Sequence, residues 1–395
     1  MKLRYLATLT AALTLACCSA EDSDNVDDAV DGDAETTEVG EFTFGEATPE
    51  SVGMNAEILE GARDYAFAEG KNTQSVVIVR DGTIVAEWYA DDRDRDSFAA
   101  SWSVAKSVTS SLIGIALDRG EIPSIDEPMT TYVPDWEGTE RDDIVLRDVL
   151  EMASGLTWVE DYDPSNLTNS DVAEMVLDGE GSQLAIVTDN EVEHPPGTEF
   201  NYSSGDTMLL SHVIEVATGK SAGDYADEHL FGPLGIEQAR WWEDPSGDTL
   251  TYCCLDMTAR DFARFGQLFL EGGALSGKRI VPEAWVEDSI EPSPSYDGYS
   301  YQWWLTGNEY EDEKVPDDTY SALGHDGQYI HIIPSLDLVV VRHGLYWPHD
   351  GEAVAEPSLF VVYPSDGLFP ESGTAPPDSW SVPDFLAPIV DSIED

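Results

Sequence analysis

From Ser103 to Asp118 the chain carries almost nothing but small and apolar side chains. Val104, Val108, Leu112, Ile113, Ile115 and Leu117 follow one another at helical spacing up to Gly120. A helix apolar on most of its faces has no side to offer water, so other elements must surround it. Lys106 lies one turn into this helix. Burying an unpaired ammonium is costly, so a lysine there needs a partner. Residues i and i+3 of a helix share a face, which brings the Lys106 amine to the Ser103 hydroxyl. Burial lowers the pKa of such an amine, and a neutral amine can activate a serine without a histidine. If Ser103 starts the helix, the dipole and the unpaired N–H groups also favour an oxyanion there. A Ser-x-x-Lys spacing arises by chance in a chain of this length; its weight comes from opening the most apolar helix.

The flanking segments suggest what surrounds the helix. Asn55 precedes an amphipathic series at Ile58, Leu59, Ala62, Tyr65 and Ala66, with Gly70 as the expected stop. Ser75–Arg80 and Thr83–Ala90 flank Asp81-Gly82, a two-residue hairpin signal. Leu209, Leu210, Val213, Ile214 and Ala217 predict a helix ending at Gly219, and Thr258 to Asp261 reads as a capping box opening another. Tyr329–Pro334 and Leu338–His343 read as strands around a turn at Ser335-Leu336, 346–383 as a loop, and Phe385–Ile393 as a short helix. Strands thus stand at both ends of the folded part with helical material between. The expected architecture is α/β (α+β). An antiparallel sheet flanked by helices is built from 48–119 and 323–395, a mainly helical domain from 120–322, and the active site lies between the two.

The N-terminus reads as an export signal. Lys2 and Arg4 precede an apolar run from Leu6 to Ala16 that is too short to span a bilayer, and Cys17-Cys18 follows. Residues 1–17 resemble a bacterial lipoprotein signal, which implies acylation of a cysteine. Cys17, directly after Ala16, is the candidate, with Cys18 or simple secretion as alternatives. Residues 18–47 are acidic and read as a solvated tether, so any membrane contact is through the lipid.

Across the chain, 19 Lys+Arg oppose 79 Asp+Glu, a formal net charge of −60. So negative a surface repels phosphate backbones, which excludes nucleic acid as a default partner. The acids are spread along the chain in the manner of a halophile surface, whose self-repulsion salt screens. Cys253 and Cys254 are adjacent and cannot staple distant segments. They read as either a vicinal disulfide or a pair of partly buried thiols, and no metal site or cofactor motif is apparent.

Six segments together carry a family resemblance: Ser101-Trp-Ser103-Val-Ala-Lys106-Ser; Asp118 to Pro134; Met152-Ala-Ser-Gly155-Leu-Thr-Trp158; His194 to Ser204 around Tyr202; Thr258 to Gly266; and Tyr301-Gln-Trp-Trp304 followed by Gly324-His325-Asp-Gly327. In this order they resemble the serine beta-lactamase and penicillin-binding-protein superfamily. Within it they are most similar to the class C beta-lactamase-like branch of esterases, D-aminopeptidases and 6-aminohexanoate-dimer hydrolases. The resemblance implies a beta-lactamase-like fold and an acyl-enzyme serine hydrolase that needs no cofactor and acts on a small ester or amide. It implies Ser103 as nucleophile, Lys106 as its activating amine, and Tyr202 as a phenolate kept ionised by Lys106. His325 then stands where many relatives have lysine and Ser204 where beta-lactamases usually have asparagine. Both departures favour esterase or amidase chemistry over antibiotic hydrolysis. Gly327 is expected to keep a strand edge open to substrate, and Gln328 to give the second oxyanion N–H beside that of Ser103. His325 also suggests a pH-dependent role. A D,D-peptidase or a 6-aminohexanoate-oligomer amidase would use the same residues. A binding lipoprotein without catalysis is the alternative of another class.

Overall fold

The computed structural model describes residues 42–91, 93–162, 169–177, 181–308, 314–344 and 380–394. The signal, Cys17, nearly all of the tether and the loop up to 379 lie outside them. Eight strands form the main sheet, in the order Gly45–Glu46, Thr83–Tyr89, Thr73–Arg80, Leu338–Gly344, Gln328–Ile333, Tyr320–Gly324, Trp303–Trp304, Tyr299–Ser300. All neighbours are antiparallel except the first pair. The hairpin turns through Asp81 and Gly82, both in the left-handed region at φ 48° and 68°, which suits the right-handed twist of its strands. Its first strand pairs with the strand from the far end of the chain, Ile78 opposite Val340 and Val76 opposite Arg342. Sheet strands between 299 and 322 fall in the stretch expected to be helical. Two of them, Tyr299–Ser300 and Trp303–Trp304, are only two residues long, too short to show the alternation that marks a strand.

Both faces of the sheet are covered, which explains the unbroken apolar run at Val76–Val79. Val76, Ile78 and Val340 pack under the helices Ala56–Ala66 and Val382–Asp391, against Leu59, Phe385 and Ile389. Val77, Val79, Ile330 and Val339 belong to the second core with Phe262 and Phe265 of the helix Ala259–Leu270, and with the central helix Val104–Asp118. Gly266 permits that approach: a Cβ there would lie 2.6 Å from Val339 and 2.8 Å from Ile330. Every residue from Val104 to Ala116 is buried, as its composition requires.

The expected caps are present. Asn55 Oδ1 accepts the N–H groups of Glu57 and Ile58 at 3.0 and 3.2 Å, and Thr258 Oγ1 accepts that of Asp261. The helix Ser204–Thr218 stops at Gly219 in the left-handed region. The first helix ends at Ala66 rather than near Gly70, because the Ala66 carbonyl is taken by the Thr73 hydroxyl at 2.6 Å. Among the described residues no helix is long and apolar enough to cross a membrane.

Candidate active site

Ser103 caps the N-terminal end of the central helix, and the residue before it is strained. Trp102 has φ +46°, a region that bulky side chains seldom adopt. The elbow is held from both sides. Ser101 N donates to Leu255 O at 2.9 Å, and Leu255 N donates to Ser101 Oγ at 3.0 Å. The end of the strand Tyr320–Gly324 backs onto it so closely that a Cβ on Gly324 would meet Ser101 O at 2.5 Å.

One turn on, Lys106 is 1% exposed. Its Nζ donates to Ser103 Oγ at 3.2 Å, to Ser204 Oγ at 3.0 Å and to the Tyr252 carbonyl at 2.8 Å. Burial pushes this amine down to about 8, against the opposing pull of the Glu160 carboxylate. It is therefore basic enough to take a proton from Ser103 and acidic enough to be neutral in mildly alkaline water.

Tyr202 joins the pair, hydrogen-bonded to Ser103. Burial and then Glu160 push its hydroxyl well up, with only a hydrogen bond to Ser103 pulling down. Lys106 Nζ lies 5.1 Å from the Tyr202 ring centroid and spends its protons elsewhere. The Tyr202 ring stacks on Trp304 with centroids 5.4 Å apart.

Ser204, expected to face substrate, is fully buried. Its hydroxyl accepts from Lys106 and donates to Glu160 Oε1 at 2.6 Å. Glu160 is the residue that the sequence did not reveal. Besides Ser204 Oγ, it accepts from Ser204 N at 3.0 Å, Trp158 Nε1 at 2.5 Å and Tyr162 OH at 2.6 Å. The only signal was its place two residues after the Trp158 block. Among 79 acids that signal has no contrast. Asp206, in the same helix turn as Ser204, is buried with Oδ1 accepting from Ser154 Oγ at 2.8 Å and Oδ2 without a hydrogen-bond partner. Burial raises it to about 7.

His325 reaches the site's edge, part-exposed, stacked on Tyr162 at 4.9 Å and edge-on to Trp102 at 5.6 Å. The following turn departs from expectation. Asp326 and Gly327 both have positive φ, 59° and 77°, so Gly327 serves the turn, and it is buried rather than lining an open edge. The Gln328 N–H, expected at the oxyanion, is bonded to the His325 carbonyl that closes the turn. The Gln328 side chain points into the sheet, toward Gly344 O and His343 Nδ1. Buried Arg342 holds the turn from behind through Gly327 O at 2.9 Å. Cys253 and Cys254 form a disulfide. Among the described residues no group of three or more His, Cys, Asp or Glu side chains is arranged to hold a metal.

The chain is similar to known proteins. A family model described as Beta-lactamase matches residues 64–352. The 6-aminohexanoate-dimer hydrolase of Paenarthrobacter ureafaciens is 29% identical over 299 residues, 70% of this chain and 73% of that protein. A D-aminopeptidase of Cereibacter sphaeroides is 28% identical over 225 residues, 53% of this chain but only 42% of the relative. Among solved structures, a family VIII carboxylesterase superposes with TM-score 0.56 at 17% identity, covering 74% of this chain and 92% of its own. That last likeness speaks for the fold.

Proposed function

This chain belongs to the beta-lactamase family, and we propose that it cleaves an ester or amide through an acyl-enzyme on Ser103, with Lys106 as base and Tyr202 as proton donor. It is a serine hydrolase related to amidases and esterases. The observation that carries the reading is the buried Lys106 amine, 3.2 Å from Ser103 Oγ and lowered to about 8. Neutral Lys106 takes the Ser103 proton as Oγ attacks the carbonyl carbon. The oxyanion forms at the N-terminus of the central helix, where the dipole favours it; the N–H groups of Val104, Ala105 and Lys106 are already taken by the carbonyls of Ser101, Trp102 and Ser103. Tyr202 hands its proton to the leaving group, the Lys106 ammonium restores it, and water releases the acyl group.

With His325 where relatives carry lysine, no ammonium stands there to draw a substrate carboxylate. This favours neutral esters and amides over beta-lactams. The lipoprotein-like residues 1–17 support export with a lipid on Cys17, and the charge of −60 supports work in high salt.

The test is a short-chain p-nitrophenyl ester in about 1 M salt, where the Debye length is near 3 Å, followed beside Ser103→Ala. A nitrophenol burst and an acyl mass on Ser103, both lost in the variant, are expected. Folded protein that takes no acyl group from ester, penicillin or fluorophosphonate would overturn the reading. A linear amide dimer run alongside separates amidase from esterase.

A further inference from the structure

The reaction above leaves the Cys253–Cys254 pair unused, and the pair begins one residue after Tyr252, whose carbonyl accepts from the base Lys106. Of the three acceptors around Lys106 Nζ, two are hydroxyls, which rotate and also donate; the third, Tyr252 O at 2.8 Å, is a carbonyl that can only accept. That carbonyl is the fixed point against which the amine is aimed. Its direction is set by the backbone at 252–254, and this is where the disulfide lies.

The same short segment is hydrogen-bonded to several elements around the site. Thr251 Oγ1 donates to Thr207 O at 2.7 Å on the Ser204 helix, and Tyr252 OH donates to Gln183 Oε1 at 2.8 Å. Cys253 O accepts from Trp241 Nε1 at 3.1 Å, and Cys254 O accepts from Trp242 N at 3.0 Å. Leu255 then pairs with Ser101, two residues ahead of the nucleophile. Cys254 holds φ +67°, costly for a side chain other than glycine's. A disulfide between neighbours closes a small ring through the peptide bond joining them, so it limits the backbone of both residues at once. It cannot cross-link distant segments, and its effect is therefore local.

We propose that the Cys253–Cys254 disulfide is a positioning device for catalysis: it holds the Tyr252 carbonyl on Lys106 and the Leu255–Ser101 pair behind Ser103, so that full activity belongs to the oxidised form. The proposal rests on Ser103 being the nucleophile. A dithiol reductant transfers two electrons and two protons, leaving two thiols and its own cyclic disulfide. Cys253 is 3% exposed and Cys254 is part-exposed, so attack falls on the Cys254 sulfur. The reduced turn regains its backbone freedom, and the Lys106 amine loses its fixed acceptor.

The test uses the whole protein in high salt. Thiols are counted by alkylation and mass spectrometry before and after dithiothreitol. Ser103 acylation by a p-nitrophenyl ester and by a fluorophosphonate is timed in both forms, with circular dichroism and Tm recorded in parallel. Expected are no alkylation without reductant and two alkylated cysteines after it. The reduced protein is expected to stay folded, to acylate about tenfold more slowly and to recover on reoxidation. Cys253→Ser/Cys254→Ser should match the reduced rate and ignore dithiothreitol, and it provides the same comparison if the reductant fails to reach the bond. Equal acylation rates in the oxidised and reduced or double-variant proteins would overturn the proposal, as would free thiols in the untreated protein. Failure of the oxidised protein to acylate at all would instead remove the hydrolase reading.

Discussion

The Ser204 hydroxyl lies 2.6 Å from the Glu160 carboxylate and 3.0 Å from the Lys106 amine, so one buried serine joins the base to a negative charge. The carboxylate pulls Lys106 toward its ammonium form while burial pulls it toward the neutral amine. Burial wins, and the amine titrates within reach of ordinary working pH.

The acylation rate should therefore rise with pH through about 8 and then level, because only the neutral amine accepts the Ser103 proton. Lys106→Met should lose that limb and about a thousandfold in burst rate. Stopped-flow acylation between pH 6 and 10 checks both.

Glu160→Gln removes the charge that raises Lys106, so the acid limb should move down by about one pH unit. Glu160→Asp, which keeps the charge, should leave the limb closer to its original place. The profile of kcat/KM decides this. An unshifted limb with activity lost equally at every pH would make Glu160 a packing residue only.

Tyr202→Phe should discriminate between leaving groups. An amine leaving group needs a proton and nitrophenolate does not, so amide turnover should fall by about a hundredfold or more while the activated ester loses far less. Parallel assays of an anilide and a p-nitrophenyl ester with one acyl group measure the split.

Asp206 is raised from 3.8 to about 7 by burial. Between those values the native state keeps a proton that the unfolded chain has released, so this group's contribution to stability declines as pH climbs from about 4 to about 7. Asp206→Asn carries no such titration. The Tm of the wild type relative to the variant should therefore fall over that window and flatten above it, as calorimetry at constant high salt can show.

Whatever repeats along the chain was legible from the sequence. The apolar run after Ser103 required a buried helix, Asp81-Gly82 a hairpin, and Asn55 and Thr258 helix starts, since each depends on neighbours within a turn or two. Ser103 and Lys106 were legible as a pair for the same reason. Tertiary structure alone decided what surrounds that pair. The Tyr252 carbonyl is 146 positions from Lys106, and Glu160 is 44 from Ser204. Tertiary structure also buried Tyr202 between Tyr299 and Trp304 and near Glu160, which raises its hydroxyl. Periodicity and capping are short-range and leave their mark in residue order. The pKa of a buried group and the aim of a carbonyl depend on which distant atoms exclude water around them, and that is fixed only when the chain has packed.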